Sequence, residues 1–138
     1  MKILFIHQNF PGQYVHIVER LVQQGGHQIV ALGINPLDKN RFVSEKLQYF
    51  RYPITRGNAK DSHPLVMETE SKVIRAEGCV KAAEQLKQNG FEPDLICAHP
   101  GWGEPLFLKA IWPDAPLLCY QGFFYKEYGF DSNFDPEF

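Results

Sequence analysis

A chain of 138 residues fits one domain large enough to bury a substantial core. Its composition, 44% hydrophobic and 22% charged, is that of an ordinary soluble globular protein. A formal net charge of -2 leaves no electrostatic footprint for nucleic acid, so none is expected as a partner, and no apolar run reaches transmembrane length.

The chain opens on an apolar run, Ile3 to Ile6, too short for a secretory signal and without a small-residue cleavage site. It breaks at His7-Gln8-Asn9 and turns through Pro11-Gly12, which predicts a buried strand, a loop and then a helix. Residues 13–24 place Tyr14, Val15, Val18, Leu21 and Val22 on one helical face, and Gly25-Gly26 stops the helix. His27 to Leu32 reads as a second strand and Leu47 to Tyr52 as a third, with a polar loop over residues 54–63. Pro64 to Asn89 is helical, with Val66, Val73, Ile74, Cys79, Val80, Ala83 and Leu86 as buried positions and Gly78 marking close packing or a bend. Pro93 to Ala98 is a buried strand, residues 99–103 a loop, Glu104 to Ile111 a short helix, and Leu117 to Tyr120 another strand. Strands alternating with helices predict a doubly wound α/β domain, its sheet mostly parallel with helices on both faces.

In such sheets ligands sit beyond the carboxyl ends of the strands, so His7 to Gly12 and His99 to Gly103 lie where a site belongs. Cys79, Cys97 and Cys119 lack metal or redox spacing and read as buried free thiols, which points to a reducing cytoplasm. The histidines and cysteines form no ligand set, and no metal is expected. A GxGxxG and a G-x-S-x-G elbow are both missing, which argues against a dinucleotide oxidoreductase and a serine hydrolase. The last stretch carries Tyr120, Phe123, Phe124, Tyr125, Tyr128, Phe130, Phe134 and Phe138. Complete domains seldom end on such a run, so a severed chain is expected, with self-association through the aromatic tail.

Three blocks in order, MKILFIHQNFPGQYVH, DLICAHPGWGEPLFLK and WPDAPLLCY with an aromatic stretch ending FDPEF, resemble one subgroup of the family 4 glycosyltransferases. The resemblance runs from Met1 to Phe138 and is to the N-terminal, acceptor-side half of a GT-B enzyme. It implies a Rossmann-like domain facing a C-terminal donor-binding domain that this chain lacks, with its E-x7-E region and its diphosphate-neutralising basic residues. The implied reaction moves a sugar, with retention, from a nucleotide-sugar co-substrate to a glycan, lipid or small-molecule acceptor, without further cofactor. The fragment alone is expected to be inactive. Polysaccharide biosynthesis, in the cytoplasm or peripheral to the inner face of the membrane, follows as an implied setting.

The same resemblance places His99 near the reacting sugar as the catalytic residue, where an imidazole can donate to a sugar hydroxyl; a histidine capping a turn is the plainer reading. Pro11, Gly12 and Gln13 match a glycine-bearing loop that brings backbone amides close to a phosphate. Family members commonly carry two adjacent glycines there, so a plain strand-to-helix turn stays open for Gly12-Gln13. His7, Gln8 and Asn9 can bond acceptor hydroxyls. Gly101 and Gly103 suggest a special backbone around Trp102, which either stacks on a sugar or packs in the core. Glu104 suits the first turn of the next helix, with an acceptor contact as the other option. A free-standing α/β binding or interaction module without catalysis is the alternative function.

Overall fold

A computed structural model describes residues 1–37 and 46–122. The aromatic segment from Phe123 onward, and with it the expectation of self-association, lies outside the described residues. Five strands form one parallel sheet: β1 Lys2–Ile6, β2 Gln28–Gly33, β3 Leu47–Arg51, β4 Leu95–Ala98 and β5 Leu117–Cys119, in the order β3-β2-β1-β4-β5. The helices are α1 Val15–Gln24, α2 Met67–Gln88 and the single turn α3 Leu108–Ile111.

Alternation along the strands sends side chains to two cores. Ile3, Phe5, Ile29, Ala31 and Cys97 meet Tyr14 and Val18 of the α1 segment on one face. Leu4, Ile6, Val30, Leu32, Ile96 and Ala98 meet Cys79, Ala83 and Leu86 of α2 and Leu108 and Ile111 of α3 on the other. Because both faces are covered, β1 is apolar at four consecutive positions rather than alternating. The expected α/β, Rossmann-like layering is therefore present.

Some details depart from the sequence reading. Val66, expected to be buried, is 48% exposed, because the chain enters α2 through a 3-10 turn, Pro64–Val66, that stands off the core. β3 stops at Arg51, although the Tyr52 N–H still bonds the Gly33 carbonyl at 3.0 Å. Cys79 and Cys97 are buried and Cys119 half-buried, all three as free thiols. Burial pushes the Cys97 thiol up to about 11, so it is an inert core group. Among the described residues no helix is long and apolar enough to cross a membrane, and no three potential ligands gather into a metal site.

Candidate functional site at the switch point

The chain winds outward from β1 to β3, then returns to β4 on the other side of β1, so the topology reverses between β1 and β4. Loops diverge from such a point and leave a crevice at the carboxyl ends of the strands. Ile6 and Ala98 are the last residues paired across it, and the next residue on each strand is a histidine. His7 and His99 stand edge to face, ring centroids 5.7 Å apart, and the His99 N–H donates to the Ile6 carbonyl at 3.3 Å.

Both imidazoles are held the same way. The Asn9 N–H donates to His7 Nδ1 at 3.1 Å, and the Gly101 N–H donates to His99 Nδ1 at 3.2 Å. A ring nitrogen that accepts carries no proton, so in the neutral rings Nε2 is the donor. Burial, then the neighbouring His99, holds His7 below its ordinary 6.5, against smaller opposing contributions from Gln13 and the Asn9 amide. His7 is 5% exposed, whereas His99 is half-buried and reachable.

Glycines make room for the two rings. Gly12 has φ +50°, and a Cβ there would lie 2.5 Å from His7 Cε1. A Cβ on Gly101 would lie 2.8 Å from His99 Cε1, and one on Gly122 would lie 3.2 Å from His99 Nε2. Gly12 thus serves close packing against an imidazole as well as the turn Gly12–Tyr14 that follows it. Aromatic rings complete the wall. Trp102, 40% exposed, stacks on His99 at 6.1 Å, and Tyr120, 42% exposed, tilts against its ring at 6.1 Å. Arg75 lies 5.9 Å over the Trp102 ring and donates to the Trp102 carbonyl at 3.2 Å.

The structure brings His7, Gly12, His99, Gly101 and Trp102 together. Asn9 is exposed, and its side-chain oxygen accepts from Asn35 at the end of β2; Gln13 lies beside His7 and Pro11 is half-buried in the same loop. Glu104 lies elsewhere. It is 1% exposed, and its Oε1 accepts from the Tyr52 hydroxyl at 2.9 Å on the α2 side of the sheet. Burial raises its carboxyl above the ordinary 4.5, with its own backbone N–H, Tyr52, Arg75 and His99 pulling the other way. Tyr120 and Gly122 are the neighbours that sequence reasoning missed. The available signal was topological, since the Tyr120 N–H bonds the Ala98 carbonyl at 2.9 Å and so brings the end of β5 beside His99.

A parallel sheet covered by helices on both faces, with paired histidines at its switch point, defines a Rossmann-like α/β domain. The glycosyl transferase family 4 group matches residues 25–138, so the chain belongs to that family and is a glycosyltransferase domain. The match includes the His99 loop and Tyr120 and begins beyond His7 to Gln13. No curated protein matches the chain.

Proposed function

We propose that this is the acceptor-side domain of a retaining glycosyltransferase of hexosyltransferase type. It moves a sugar from a nucleotide-sugar donor to a glycan, lipid or small-molecule acceptor, and works with a C-terminal donor-binding domain. The observation that carries the reading is His99, reachable at the switch point of a family 4 domain with Nδ1 already engaged by the Gly101 N–H. Nε2–H is then the donor of the neutral ring, chemically suited to a sugar hydroxyl. In this tautomer His99 orients and stabilises; it does not abstract a proton.

Trp102 and Tyr120 offer ring faces beside it, the kind of apolar surface on which a sugar packs. The His7 to Gln13 loop lies beside it, with the buried His7 ring edge to face against His99 and hydrogen-bonded within its own loop by Asn9 and Gln13. Catalysis of this kind is positional and electrostatic, with fixed donors aimed where charge develops. The second domain supplies the groups that neutralise the departing diphosphate, and the isolated fragment is inactive. Three free cysteines fit a reducing, cytoplasmic setting. The test is sugar transfer by the native gene product carrying His99→Ala, where loss of one fixed donor is expected to cost about 100-fold in rate. An unchanged rate would remove His99 from the reaction.

A further inference from the structure

The turn that carries His99 is anchored at its far end by a buried polar pair. From Pro100 to Trp102 the chain makes a 3-10 turn, closed by the Gly103 N–H on the Pro100 carbonyl at 3.1 Å. Gly103 has φ +99° and packs so tightly on the Lys72 backbone of α2 that no Cβ fits. Glu104 follows at once, and its carboxyl enters the core with Oε1 accepting from Tyr52 and Oε2 buried without a hydrogen-bond partner. Tyr52 is itself 1% exposed, just past the end of β3. An apolar side chain of Leu size would fill this space at lower desolvation cost, so the carboxyl needs a reason beyond packing.

The hydrogen bonds supply that reason. The His99 main chain is fixed to β1 through Ile6; Trp102 and Tyr120 pack against its ring, and among the described residues the Gly101 N–H makes the hydrogen bond that selects its tautomer. Gly101 lies in the middle of the turn, so its amide direction depends on where the far end is held. We propose that Glu104, through its hydrogen bond with Tyr52, is a positioning residue that orients the His99 imidazole. The pair fixes residues 100–103 between β3 and α2, and the Gly101 N–H then locks the ring with Nε2 as donor. The inference rests on the reading of His99 as the sugar-facing group only for its functional meaning.

The test is 1H–15N NMR of the labelled chain, following the His99 ring nitrogens and the Gly101 amide. Tyr52→Phe removes one oxygen, Glu104→Leu removes the acceptor, and Glu104→Gln keeps an acceptor oxygen. In wild type and E104Q, His99 shows one neutral tautomer, with Nδ1 unprotonated. In Y52F and E104L the Nδ1 resonance moves toward the average of two exchanging tautomers and the Gly101 amide shifts, while the Trp112 indole signal of the core stays in place. Wild-type His99 and Gly101 signals in Y52F would overturn the proposal. So would an E104Q spectrum as disturbed as that of E104L. If E104L does not fold, Y52F decides alone. The readout is the ring itself, without substrate, so its outcome is separate from whether His99 touches a sugar.

Discussion

Gly12 and Glu104 put the physical account to two residue-level tests. At Gly12 a methyl group meets both a positive φ and the His7 ring, and neither can be relieved without moving the loop. Gly12→Ala is therefore expected to destabilise by about 1–3 kcal/mol, read as a shift in urea midpoint. Glu104 sets a pH dependence. Its folded-state pKa is raised above the ordinary 4.5, so the stability of its neutral form is fully present below 4.5 and is lost as pH rises through the folded value. His7 acts at the opposite end: its pKa is lowered from 6.5, so its contribution is present above 6.5 and is lost as pH falls through the folded value. Chemical denaturation across pH should show E104Q losing less stability than wild type on going above pH 4.5. Parallel curves would contradict the raised carboxyl. The His99 position was legible from a strand end followed by a turn. The Tyr52–Glu104 pair was not, because a Glu in the first turn of a helix ordinarily faces solvent, and only the tertiary fold brings Tyr52 over it.

Among the elements, α2 shows most clearly how packing overrides local preference. Propensity favours Ala over Gly in a helix interior by about 1 kcal/mol. At Gly78, however, a Cβ would lie 2.9 Å from the Pro53 carbonyl and 3.2 Å from Tyr52 Cδ2. The helix crosses the end of β3 there with no space for a methyl, and the obstacle is backbone. Overpacking of this kind costs about 1–3 kcal/mol, so the steric effect wins. Gly78→Ala is expected to lower the thermal midpoint despite its better helix propensity; a raised midpoint would show that α2 can move off β3. The sequence pattern placed the long strands, α1 and α2 correctly because their apolar spacing is set by two covered faces. It missed the exposed Val66 because a 3-10 turn repeats every three residues, which rotates its apolar positions away from the helical stripe.

For the whole molecule, topology decides where chemistry is possible. The topology reverses between β1 and β4, and the residues that follow these strands are two histidines, each accepting a backbone N–H at Nδ1. The capping contact is not by itself a mark of function, since His63 Nδ1 accepts from the Leu65 N–H in the same manner on an exposed turn. What separates His99 is its place at the switch point, its glycine and aromatic walls, and its position inside the stretch that carries the family match. An apolar cavity of about 470 Å³ lies between α1 and strands β1, β4 and β5 and reaches Tyr14 and Tyr120. Its lining bears few polar groups, so it matches a sugar less well than the site proposed at His99. The most direct test is the rate of sugar transfer by the native gene product from a panel of UDP- and GDP-sugars. It compares wild type, His99→Ala and the capping control His63→Ala. Transfer by wild type, a nearly unchanged rate in H63A and a loss of about 100-fold in H99A are expected. Equal rates in all three proteins would contradict the role of His99 in transfer.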